Sequence, residues 1–130
     1  MIDFETQIFN SVHSVVAPLC AKNRFISTQI TAPTAFPTAA LWEMDNETVR
    51  NRQSSTPIEN YALITYQGEV YAKTKSECRK VFAVMDERMI SLNFSKMSGR
   101  FITYPDNTGV VRYVARYEAV VDREGNLYRR

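Results

Sequence analysis

The sequence predicts an α+β domain: a two-layer sandwich, mostly antiparallel sheet with two helices on one face. Three observations carry that prediction. Residues 110–122 alternate strictly, with Val111, Tyr113, Ala115, Tyr117, Ala119 and Val121 on one side and Arg112, Arg116, Glu118 and Asp122 mainly on the other. That period of two is what a half-buried strand requires, because successive side chains point to opposite faces. Two further segments, beginning near Phe4 and near Lys75, repeat apolar residues at helical spacing. Each such helix has a single apolar stripe, and placing both stripes on the apolar face of the sheet buries all three surfaces at once.

In the first segment Asp3 is placed to act as N-cap and Glu5 falls in the first turn, followed by Phe4, Ile8, Val12, Val15, Val16 and Leu19 on one stripe. Pro18 lacks the amide hydrogen a helix interior uses, so the regular helix ends or kinks near it. Phe25, Ile26, Thr28 and Ile30 then support a short strand over residues 24–31, which Pro33 and Pro37 terminate. A strand resumes over residues 40–45, with Trp42 and Met44 on one face and Leu41 and Glu43 on the other. Trp42, the only tryptophan, reads as a core or interface anchor.

Residues 45–57 are polar and have almost nothing to bury. A connection of that length is either a working surface or a plain solvated loop. Residues 60–73 form a second long strand, in which Ala62, Ile64, Tyr66 and Val70 alternate with Leu63, Thr65, Gln67 and Glu69. Gly68 inside it marks a bulge or a close backbone approach. Thr74 and Glu77 then match a capping box, and the helix they open carries Cys78, Val81, Phe82, Met85, Met89 and Leu92 on one stripe. Lys96, Met97, Ser98 and Gly99 lead into the last third, which reads as a hairpin over residues 99–122. Residues 101–104 form its first strand, and Pro105, Asp106, Asn107, Thr108 and Gly109 supply its turn. Residues 123–126 turn the chain, and Leu127 and Tyr128 add a short final strand.

Composition narrows the function. The 130 residues fit one domain, and 45% hydrophobic with 23% charged residues is ordinary for a globular protein. A net charge of +2 from 16 basic and 14 acidic residues, interspersed along the chain, lacks the footprint of a dedicated nucleic-acid binder. The residues after Met1 do not read as a signal peptide and no run approaches a membrane span, so synthesis in the cytoplasm is expected. Cys20 and Cys78 are expected to be reduced core thiols.

The residues compose no recognisable active site, and neither an enzyme nor a cofactor is expected. His13, the only histidine, reads as partly buried or surface rather than as a general base. One histidine and two distant cysteines do not make a metal site, and the four glycines form no phosphate loop. Glu43 with Asp45, and Asp86 with Glu87, read as solvated charges. Tyr104, Tyr113 and Tyr117 could stack on bases, but they lie on the strand face assigned to the core. The mixed-charge strand face bearing Arg112, Arg116 and Glu118 is the better contact surface, and its mixed signs suit a protein partner.

Taken in order, several segments resemble a family. They are the N-terminal helix; Phe36, Pro37 and Thr38 leading into Leu41-Trp42-Glu43-Met44-Asp45-Asn46; the strand from Tyr61 followed by a capped helix; Arg112-Tyr113-Val114-Ala115-Arg116-Tyr117-Glu118; and Leu127-Tyr128-Arg129-Arg130. Together they are similar to the tail terminator, or tail completion, proteins of long-tailed bacteriophages. The likeness spans nearly the whole chain as a pattern of elements. It implies a single domain over residues 1–130 with a long mobile loop at about 46–59. It also implies a virion protein of the tail or neck, assembled in the host cytoplasm. Such a protein forms a homo-oligomeric ring, typically a hexamer, that caps the tail tube, stops its polymerisation and offers a surface for head attachment. The partners implied are copies of itself, the tail tube protein and the head–tail connector protein. No membrane is involved, and DNA would be met only as it passes through the lumen. Arg50 and Arg52 in the loop, with Arg112, Arg116 and Glu118 on the strand, are the expected interface residues. Ser54, Ser55, Thr56 and Trp42 do not match the family's features, which leaves the loop contacts open. Another neck component, a head-completion or connector protein, is the alternative, and a small nucleic-acid-binding module using Arg129 and Arg130 is a further one.

Overall fold

A computed structural model of the chain describes residues 2–21, 24–28, 35–48, 61–103 and 109–129. Its helices are α1 (Glu5–Val16) and α2 (Lys75–Ser91). Its strands are β1 (Phe25–Ile26), β2 (Thr38–Thr48), β3 (Tyr61–Ala72), β4 (Ser95–Thr103), β5 (Val111–Asp122) and β6 (Leu127–Tyr128). The six strands make one mixed sheet in the order β1-β2-β3-β5-β4, with β6 paired to β5. The β1–β2 pairing is parallel and the others are antiparallel. The fold is α+β. No helix among the described residues is long and apolar enough to cross a membrane.

The register fixes which residues share a face. Gly68 lies opposite both Leu41 and Ala115, and Tyr66 lies opposite both Glu43 and Tyr117. Even-numbered residues of β3 and odd-numbered residues of β5 therefore point to the same side. That side meets the helices, since Ile8, Val12 and Val16 of α1, Val81, Phe82, Met85 and Met89 of α2, and Ile64, Tyr66, Val70, Ala115, Tyr117 and Val121 of the sheet form one buried cluster. β5 thus has the apolar face that its alternation predicts. Tyr117 is fully buried with its hydroxyl donating to Asp86 Oδ1 at 2.8 Å.

Both helix ends follow from local chemistry. Thr74 Oγ1 accepts from the Glu77 amide at 3.1 Å, the hydroxyl half of the predicted capping box. At the other end of α2, Asn93 takes φ 72°, its amide donates to Ile90 O at 3.0 Å, and the Phe94 amide donates to Met89 O at 3.1 Å. This is a Schellman stop with asparagine in the left-handed position and buried Phe94 as its apolar contact. α1 ends at Val16 and tightens into a 3-10 turn over Ala17–Leu19, which accommodates Pro18 as predicted. Its start differs from the prediction, because the N-cap position is Phe4, whose side chain caps nothing. Asp3 still serves that end, accepting from the Glu5 amide at 3.2 Å.

Three other boundaries depart from the sequence reading. β1 spans two residues rather than 24–31, and residues 29–34 lie outside the described ones. β2 runs to Thr48, so the predicted loop at 46–59 begins too early: Asn46, Glu47 and Thr48 pair with Ile64, Leu63 and Ala62. The β3 ladder supplies their backbone partners, and pairing overrides polar side chains that read as loop. The remainder of that loop, with Arg50 and Arg52, lies outside the described residues. A register shift between Glu43 and Asp45 also breaks the predicted grouping of Trp42 with Met44, since Met44 sits in the irregularity. Finally, β4 starts at Ser95 rather than at Phe101. Lys96 to Gly99 looks like a lead-in because a register shift between Lys96 and Ser98 interrupts its alternation.

Candidate functional site

The face of the sheet turned away from the helices carries odd-numbered residues of β3 and even-numbered residues of β5. Gln67 lies opposite Arg116, and Tyr71 lies opposite Arg112. This register assembles a continuous polar chain. Arg116 Nε donates to Gln67 Oε1 at 3.2 Å, Gln67 Nε2 donates to Glu69 Oε1 at 3.1 Å, and Arg112 Nη2 donates to the same Glu69 oxygen in an ion pair. Glu69 is fully buried, and Arg112 also lies over the Tyr71 ring at 5.6 Å from its centroid. Burial pushes the Arg112 guanidinium down from its ordinary value. Two polar atoms of the pair, Glu69 Oε2 and Arg112 Nε, are buried with no hydrogen-bond partner. Removing either partner would leave a buried charge uncompensated, so the pair holds the face together as a unit.

The network has an apolar shoulder and an exposed flank. Ala40 and Tyr71 are buried under Ile26, Phe36, Trp42 and Val110. Trp42 thereby has the anchoring place expected of it, on the face opposite the main core. On the other flank, Ser98, Gly99, Arg100, Val114 and Arg116 line an open depression of about 280 Å³. Arg100 and Arg116 are both exposed, and their strands pair directly, Ser98 with Arg116 and Arg100 with Val114.

The predicted interface residues fall as follows. Arg112, Arg116 and Glu118 do share one face, and Glu118 is half-buried between Thr65 of β3 and Ser95 of β4. Arg112 is engaged within the chain by Glu69, while Arg116 keeps an exposed surface. Sequence reasoning missed Gln67, Glu69 and Arg100. The polar alternation of β3 was visible in the sequence, but only the β3–β5 register shows that Glu69 meets Arg112.

A second polar cluster lies on the helix side, where α1 meets β2. Ligand oxygens of Asp3, Glu5 and Glu43 lie within 4.8 Å of one another. The Glu43 amide donates to Glu5 Oε1 at 3.5 Å, and Asn46 Nδ2 donates to Ile2 O at 2.7 Å. Burial, then the charge of Glu5, pushes the Glu43 carboxyl up to about 7. The pair Glu43 and Asp45, read as solvated in the sequence, is thus half wrong: Asp45 is exposed, but Glu43 is half-buried and crowded by acids.

The two cysteines and the histidine are packed into the fold. Cys20 and Cys78 are free and buried, and burial pushes both thiols up to about 11. The His13 ring packs 5.6 Å from both Phe9 and Phe25, half-buried. No protein-family model matches the chain, and no curated protein matches it in sequence.

Proposed function

We propose that this chain is a virion structural protein of the tail-terminator kind, which self-associates into a ring that caps a phage tail tube and presents a surface to the head connector. The observation that carries the reading is the open face of the sheet. Its polar network locks Arg112 in place and leaves Arg100 and Arg116 exposed beside β4, the edge strand of the described sheet. A closed ring needs a heterologous contact between two different patches of each copy. A rigid face of mixed charge next to a strand edge suits such a contact, because charge complementarity fixes register and suppresses wrong partners. The order of helices and strands, with a capped second helix ahead of the β4–β5 hairpin, agrees with the resemblance read from the sequence.

Light scattering on the size-excluded chain, alone and with a tail tube protein, tests the proposal. A ring, or recruitment to tube ends, is the expected result. The charge reversal Arg100→Glu, at an exposed residue outside the Gln67–Glu69–Arg112 network, should weaken that association at least tenfold while leaving the thermal midpoint unchanged. A strict monomer that no tube protein recruits would sink the reading. Electron microscopy of particles lacking the protein separates the two neck roles. Tails of uncontrolled length indicate a terminator, whereas full heads beside separate normal tails indicate a joining protein. Binding to DNA that falls steeply with salt would instead favour the nucleic-acid module.

A further inference from the structure

The acidic cluster between α1 and β2 points to a ligand that the tail reading does not invoke. Asp3 and Glu5 have an ordinary explanation, since carboxylates suit the first turn of a helix. Glu43 does not. It comes from another element, it is half-buried, and the charged neighbours that act on it are Glu5 and Asp3, both acidic. Two further groups beside Glu43 have unmet valence. Tyr66 is fully buried, its hydroxyl faces Glu43 without hydrogen-bond geometry, and it has no partner. Burial, then the charges of Glu43, Glu5 and Asp3, push that phenol up, so it stays a neutral donor. Asn46 is held by Ile2 through its amide nitrogen, which leaves its buried Oδ1 without a partner. Buried polar atoms without partners are rare enough that each needs a cause.

We propose that Asp3, Glu5 and Glu43 bind one hard divalent cation, Ca²⁺ in preference to Mg²⁺, which clamps the segment ahead of α1 onto β2. The three donors are all carboxylate oxygens, which suit a hard cation. Ca²⁺ holds its oxygens at roughly 2.3–2.6 Å, so two oxygens on opposite sides of one ion stand about 5 Å apart. The ligand oxygens of the three acids lie within 4.8 Å of one another, close enough to share one such ion. Mg²⁺ needs a tighter octahedron and gives up its waters reluctantly, and a site with exposed Asp3 and half-buried Glu5 and Glu43 is too open to impose one. The cation would offset the burial and the like-charge crowding that together raise Glu43. The Tyr66 hydroxyl would donate to Glu43 or to a water on the ion.

The test is calorimetric titration of CaCl₂ into the full chain, freed of metal with a chelator and held at pH 8, paired with thermal unfolding. One equivalent of Ca²⁺ should bind, more tightly than Mg²⁺, and should raise the unfolding midpoint. Asp3→Asn and Glu43→Gln should each weaken binding at least tenfold. Glu43→Gln should also raise the midpoint of the metal-free chain, because it removes like-charge crowding. Asp3 is exposed, so its substitution tests the site even if the Glu43 variant folds poorly. The proposal is overturned if millimolar Ca²⁺ neither binds nor shifts the midpoint of the wild-type chain. It is equally overturned if both variants bind as tightly as wild type.

Discussion

Glu69 and Glu43 lie on neighbouring strands of one sheet, and the contrast between them shows what cross-strand register does to a carboxylate. Glu69 points to the open face of β3 and is fully buried, yet Arg112 and Gln67 hold one of its oxygens. Glu43 points to the helix face of β2, is only half-buried, and meets Glu5 and Asp3 instead of a cation. The deeper group is thus the better compensated. For Glu69 the partner comes from β5, the strand alongside, so the charge is neutralised by the same ladder that builds the sheet. The neighbours of Glu43 come from a helix start that favours acids, and among the described residues nothing positive faces it. The first carboxylate is neutralised by the sheet's own ladder, whereas the second is crowded by acids from the helix start.

Breaking the compensated side should have the largest effect. Arg112→Met strands the Glu69 charge in a buried site and should destabilise the fold by about 3–5 kcal/mol, whereas Glu69→Met with Arg112→Met should recover most of that loss. Urea unfolding of the two variants decides it. A single-variant loss under about 1 kcal/mol would mean that solvent reaches Glu69 and that the pair is not holding the face.

Packing beneath the pair gives the next effect. A Cβ on Gly68 would sit 2.6 Å from Met85 Sδ and 3.6 Å from Leu41 Cδ1. Gly68→Ala should therefore cost about 1–3 kcal/mol by overpacking, somewhat relieved by the flexibility of the thioether. Combining it with Met85→Ala should cost less than the two single changes added together, since the new methyl fills part of the space vacated. Strict additivity in chemical denaturation would show that the contact is not the cause.

Gly68 also illustrates what the sequence could tell. Its position in a strand announced a bulge or a close approach, and only the packing of α2 across β3 decides for close approach. Signals that live within a few residues were legible: the Thr74 cap, the stop at Pro18, and the alternation of β5 with its buried Tyr117. Signals that need a partner strand were not. Asn46 to Thr48 read as loop and Lys96 to Gly99 as lead-in, because pairing rather than propensity makes them strands. The candidate sites fared likewise. Arg112 and Arg116 were found from a charged strand face, but Glu69 could not be assigned to Arg112 without the register, 43 residues apart. The acids at positions 3, 5 and 43 match no ligand spacing, so no motif could have joined them. The Thr74 cap itself is open to test: Thr74→Ala should lower stability by about 1 kcal/mol, and a loss indistinguishable from zero would show that the Glu77 amide finds water equally well.

The smallest effect sharpens the contrast from the uncompensated side. An acid whose folded value lies above its unfolded one binds more protons when folded, so it favours the native state at low pH and withdraws that support as pH rises. For Glu43, raised from 4.5 to about 7, stability should fall as pH climbs through that window. Solvent screening at a half-exposed group keeps the whole loss to about 1 kcal/mol or less. Glu43→Gln should flatten this slope, whereas Asp45→Asn, at an exposed neighbour, should leave it intact. A bound cation would act in the opposite sense by stabilising the ionised cluster, so saturating Ca²⁺ should abolish or invert the decline. Urea midpoints measured from pH 4.5 to 8 with and without Ca²⁺ therefore distinguish two states of the cluster. A decline that Ca²⁺ leaves untouched means that the acids share a proton and hold no ion, while no decline in wild type means that Glu43 is better solvated than its crowding suggests.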